Sequence, residues 1–111
     1  MTTVDDVRAI ALSLPETMEK LAWGLPTFRV RNKIFASIGD DDEVIGIAVP
    51  RAERAHLTAA EPAKFFIRAG HDDNYDWMRV RLAAVEVEEL RELLTEAWRL
   101  KAPKRLSSTI E

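Results

Sequence analysis

The amino-acid sequence predicts an α+β fold, a single two-layer domain over residues 1–111 in which helices cover a mainly antiparallel sheet, in the order α-β-β-β-α-β-β-α. Three observations predict it. Apolar residues recur at three- and four-residue intervals near both ends of the chain and alternate with polar ones through the middle. The first connections between alternating runs are too short for anything but antiparallel neighbours, which gives a sheet of about five strands. Finally, 111 residues with 47% hydrophobic content can bury one core without a disulfide or metal staple.

The elements follow in order. From Thr3 to Leu14, Val4, Val7, Ile10, Ala11 and Leu14 fall on one helical face, and Thr3 with Asp6 forms a capping box. Pro15 stops this helix, and Glu16 to Trp23 is expected to add a further short helix before Gly24 and Pro26 break the chain. The period then becomes two. Phe28 and Val30 alternate with Arg29 and Arg31, and Ile34 to Ile38 forms a partner strand. A three-residue loop of Arg31, Asn32 and Lys33 would place Phe28 and Val30 on the same face as Ala36 and Ile34. After an acidic turn from Gly39 to Glu43, Val44 to Val49 forms a third strand, weakened slightly by Gly46. Pro50 opens a helix running to about Ala60. Lys64 to Arg68 and Trp77 to Ala83 read as two more strands around a polar loop, and Val85 to Leu100 as the last helix, with a polar tail from Ser107 to Glu111 expected to fray.

Composition excludes several function classes. Without cysteine there is no thiol nucleophile, disulfide framework or Cys-based metal site. No apolar stretch approaches a membrane span, and Asp5, Asp6 and Arg8 occupy the place of a signal-peptide core, so a cytoplasmic protein without a membrane partner is expected. Asp40, Asp41 and Asp42 lack the calcium-loop sequel, because Val44 and Arg51 fall where ligands would be needed. His71, Asp72, Asp73 and Asp76 lack metal-site spacing. No nucleophile elbow or phosphate-binding glycine loop is present, His56 reads as a surface residue, and nothing selects an acid/base pair such as His71 with Glu61. The expectation is a binding protein with no catalytic residue, metal or cofactor.

Basic residues carry the one functional pattern. Arg29, Arg31, Arg79 and Arg81 take the non-core positions of two separate strands, with Lys33 at a hairpin tip and Lys64 and Arg68 on a third. Guanidinium groups suit phosphate, because their donor fork matches two oxygens and their charge displaces counterions. The competing reading is a solvated sheet face whose arginines pair with acids, and the net charge of −3 favours it. Phe35, Phe66 and Trp77 are expected to share the basic face, either exposed for stacking or as a small second core. Trp23 and Trp98 lie in apolar contexts and are expected in the core.

Leu14-Pro15-Glu16, Trp23-Gly24-Leu25-Pro26-Thr27-Phe28-Arg29-Val30 and Lys33-Ile34-Phe35-Ala36 together resemble the MmcQ/YjbR family of small bacterial proteins. Pro62-Ala63, Trp77 with Val80 and Leu82, Ala97-Trp98-Arg99 and Ala102-Pro103-Lys104-Arg105-Leu106 extend the resemblance over nearly the whole chain. It implies a domain related in shape to the frataxin-like and secretion-chaperone-like folds, with a "double wing" of hairpins that binds DNA. Phe28 to Phe35 would be one wing, and Phe65 to Arg68 with Trp77 to Leu82 the other. The chain departs from the family pattern at Asn32-Lys33, where Gly-Lys is common, and Asn tolerates the turn dihedrals. DNA is therefore the expected partner, held by phosphate contacts from Arg29, Arg31, Lys33, Lys64, Arg68, Arg79 and Arg81. A protein or peptide partner, or a second copy, on the same face is the alternative, and a small-molecule or metal-dependent enzyme centred on His71 and its neighbouring acids is a third reading.

Overall fold

The computed structural model describes residues 2–39 and 41–109. Asp40 of the acidic turn and the last two residues of the expected frayed tail lie outside the described residues. Helix α1 spans Val4–Ser13, and the Thr3–Asp6 capping box forms as expected. The next segment is a correction: Thr17–Ala22 is a strand, β1, where a short helix was expected. It pairs along its full length with β2, Leu25–Val30, through a two-residue turn at Trp23 and Gly24. Both turn residues have positive φ, 52° and 80°, the geometry whose twist suits a tight hairpin. Pairing with β2 overrides the helix propensity of Met18, Glu19, Lys20 and Leu21.

Strand β3, Lys33–Ile38, returns after a turn of two residues, Arg31 and Asn32, not three. Asn32 has φ of 71°, so the residue standing where the resembled family carries Gly takes up a conformation that Gly favours. The expected alignment of Phe28 with Ala36 survives because a register shift makes Phe35 an extra residue on β3. Phe35 therefore enters the core beside Ala36, and Ile34, opposite Arg29, takes the other face of the sheet.

β4, Val44–Ala48, continues the antiparallel order, and α2 follows over Arg51–Ala60. Of the two strands expected beyond it, the first shortens to β5, Phe65–Phe66, and the second to β6, Trp77–Arg81. The Arg68 N–H leaves the sheet to bond the Asp72 carboxylate at 2.8 Å, and Leu82–Ala84 curls into a 3-10 turn. Helices α3, Val87–Lys101, and α4, Lys104–Ser107, complete the chain. The six-stranded sheet has the order β1-β2-β3-β4-β6-β5 and every pairing is antiparallel. The fold class is thus the expected one, with one more strand and a short fourth helix.

Register divides the sheet into two faces. Phe28, Ala36, Ile38, Ile45, Ile47, Phe65, Met78 and Val80 are buried, and α3 packs on β3 and β4 with α1 against α3 and β1. Among the described residues, no helix layer spans the opposite face. Helix α2 lies beside β5 and β6 and buries no residue fully. One half of the molecule is therefore a packed core, and the other is a sheet surface.

Candidate functional site

The open face of the sheet is built by alternation. Opposed residues of neighbouring strands share a face, so the register puts Met18 and Arg29 there, then Lys20 with Thr27, Ser37, Gly46, Arg79 and Phe66, and then Val44 with Arg81. No strand position on this face is a carboxylate. Glu19 has the other parity and turns to α1, where Arg8 grips it through two hydrogen bonds of 2.8 and 3.0 Å.

The seven expected cations divide by what holds them. Arg31 makes a paired contact with Glu16, whose carboxyl the hydrogen bond from Arg31 lowers below its ordinary value. Lys64 reaches Glu61 at 2.8 Å and Glu89 of α3 at 3.0 Å, and both hydrogen bonds raise its ammonium above the usual lysine range. Arg79 donates to both oxygens of Asp72 at 2.9 and 3.0 Å. Among the described residues, the Arg29 guanidinium bonds only the Thr27 hydroxyl, at 3.2 Å, and Arg81 donates to the Pro62 carbonyl at 3.1 Å with its guanidinium 4.0 Å from the Phe66 ring centroid. Lys33 and Arg68 are exposed. Among the described residues, no carboxylate pairs with Lys20, Arg29, Lys33, Arg68 or Arg81.

Asp72 is the anchor under this face. Its side chain is 1% exposed, and it accepts from Arg79, from the Arg68 N–H at 2.8 Å and from His71 Nδ1 at 2.7 Å. Burial pushes its carboxyl up, but the hydrogen bonds from Arg79, Arg68 and His71 together outweigh burial and hold it well below the usual carboxylate range. Arg54 of α2 fastens the same loop, donating to the carbonyls of Asp72, Tyr75 and Trp77 at 3.0, 2.9 and 2.9 Å. The other loop acids are occupied locally: Asp73 accepts the Gly70 N–H and Asp76 binds Arg51. Among the described residues, no cluster of three or more His, Asp or Glu side chains could hold a metal.

The aromatic expectations need correction at two residues. Phe35 does not share the basic face but lies fully buried in the helix-side core. Trp23 does not pack in the core; it is 96% exposed at the tip of the β1–β2 hairpin. Trp98 is buried as expected, while Phe66 and Trp77 are half-buried on the open face. Trp77 explains Gly46. A Cβ added at Gly46 would fall 2.6 Å from Trp77 Cε2 and Cζ2, so the ring lies directly on this glycine. Gly46→Ala is expected to lever the indole off the sheet and cost about 1–3 kcal/mol, read as a lower urea midpoint together with a red shift of Trp77 emission.

Lys20 and Trp23 are further candidate residues that the sequence pattern did not single out, because their segment reads as helix. The signal was present as Trp23-Gly24 immediately before a run of period two.

Comparison with known proteins places the chain among relatives of undescribed activity. A YjbR family model matches residues 12–100. The uncharacterized proteins Mb2600 of Mycobacterium bovis and Rv2570 of Mycobacterium tuberculosis are each 35% identical over 121 residues, covering 96% of this chain and 93% of the relative. Among solved structures, Deinococcus radiodurans protein DR2400, with a DUF419 domain, matches with a TM-score of 0.77 and 25% identity, covering 90% of this chain and 78% of that one.

Proposed function

The chain belongs to the YjbR family, and from that premise we propose that it is a non-enzymatic binding protein that holds the phosphate backbone of DNA on its open sheet face. The observation that carries this reading is the charge pattern of the face. Lys20, Arg29 and Arg81 stand on it without a carboxylate partner among the described residues, and its buried acid, Asp72, is consumed by Arg79. Arg68 is exposed just past β5, whereas Lys33, paired with the buried Val30, takes the helix-side parity and is not assigned to this face. Arg31, Lys64 and Arg79 are held by carboxylates, so they are not assigned to phosphate here. A net charge of −3 does not oppose the reading, because a local field depends on where charges sit.

Three open-face cations predict a salt dependence. On duplex DNA, log affinity should fall with log salt at a slope of about −3, and Arg29→Ala should weaken binding evenly across sequences and make the slope shallower by about one. Fluorescence anisotropy across a salt series measures both. Undetectable binding at low ionic strength, or a flat slope, would end the reading.

One observation favours a second reading, in which a second copy binds at the sheet edge. β1 has a neighbour on one side only, and it exposes Met18, Leu21 and the adjoining Trp23. Sedimentation equilibrium separates the two, since this reading requires a dimer without DNA.

A further inference from the structure

We propose that Trp23 is a base-stacking residue and that the preferred ligand is single-stranded nucleic acid. The inference rests on the phosphate reading above and names the ligand class of the same face. Its first support is that Trp23 does nothing for the fold. The side chain is 96% exposed, and the residue takes φ of 52° in a turn where Asn or Gly is favoured and a bulky side chain is strained. A residue that neither packs nor suits its backbone points to a role outside the fold.

The second support is position. Trp23 closes the ribbon whose open face carries Lys20 and then Met18 opposite Arg29. At about 3.4 Å per residue, Lys20 lies about 10 Å along the ribbon from the indole and the Arg29 row about 7 Å farther. Those intervals are on the scale of successive nucleotides in an extended strand, with a ring at one end and cations after it. Beyond Ala22 and Leu25 at the turn, the open-face rows of this ribbon carry Lys20 with Thr27 and then Met18 with Arg29, so every charge on them is positive, which favours a polyanion over an apolar partner.

Shape favours a single strand over readout in a duplex groove. Six strands at about 4.8 Å spacing make a surface about 24 Å across, twice the roughly 12 Å width of the major groove, so the sheet cannot enter the groove. A sheet face with aromatic rings instead serves as a platform for splayed bases.

The test uses labelled oligothymidylate and a mixed-sequence duplex with the intact protein and its Trp23→Asn variant. Asn suits the positive φ, so the variant is expected to melt at the same or a higher temperature, which separates binding from folding. Wild type should bind oligothymidylate more tightly than duplex. Trp23→Asn should lose about tenfold on the single strand while its salt slope stays unchanged, because stacking carries no counterion release. Trp23→Phe should retain most of the affinity. If both DNA forms bind with the expected slope and Trp23→Asn changes neither, the inference fails and the phosphate reading stands. Should neither form bind at low salt, both fall. A wild-type dimer that Trp23→Asn dissociates, with no change in DNA affinity, would assign the indole to protein contact and overturn the inference.

Discussion

Asp72→Asn is expected to lower the unfolding free energy by about 3 kcal/mol at neutral pH, at the lower edge of the cost of breaking a buried ion pair. The carboxylate is 1% exposed and accepts two bonds from Arg79, one from the Arg68 N–H and one from His71. An amide leaves a single oxygen for these donors and turns its own N–H groups toward a guanidinium. The loss stays at the lower edge because the Arg79 side chain is 17% exposed and can swing toward water on the open face.

The pH dependence follows from the direction of the shift. The folded carboxyl lies below its unfolded value of about 3.9, so its stabilisation is complete above that pH and is lost as pH falls toward the folded value. Urea midpoints should therefore fall on acidification below about pH 4 in the wild type, and less steeply in Asp72→Asn. An equal acid dependence in both proteins would remove Asp72 as its source. The same substitution releases Arg79 on the open face, so under conditions where the variant is folded its duplex salt slope should steepen by about one.

What the sequence disclosed was local or periodic. The Thr3–Asp6 capping box needs only neighbours within one turn, and the strands from Thr27 to Ala48 repeat at a period that pairing preserves. The β1 strand was hidden because Met18, Glu19, Lys20 and Leu21 favour helix in isolation, and only the facing strand and the turn after Ala22 settle their conformation. The loop length was misread because a bulge is one residue with no compositional mark. Alternation correctly separated Arg29, Arg79 and Arg81 from the core. It could not say which of them meets an acid, since Asp72 reaches Arg79 only after the polar loop folds under the sheet. Trp23 was misplaced for the same reason as β1, because a tryptophan in an apolar run looks like core until the run becomes an edge hairpin.

Trp98→Ala is expected to cost about 3–5 kcal/mol, the range for deleting a large buried aromatic. The indole is fully buried on α3, and its Nε1–H donates to the Pro15 carbonyl at 3.0 Å. That bond ties the last long helix to the chain just beyond α1, 83 residues away in sequence. Losing the ring removes apolar contact and leaves a cavity in the core where α3 packs against the sheet and α1. A domain of this size has a stability of roughly 5–15 kcal/mol, so the variant is left with little margin. Trp98→Phe separates the two contributions: most of the packing remains, the Pro15 carbonyl loses its donor, and the expected cost falls to about 1–2 kcal/mol. Urea unfolding with an unchanged m-value reads both. A Trp98→Phe cost as large as that of Trp98→Ala would mean that the hydrogen bond to Pro15, and not the buried ring, holds α3 against the start of the sheet.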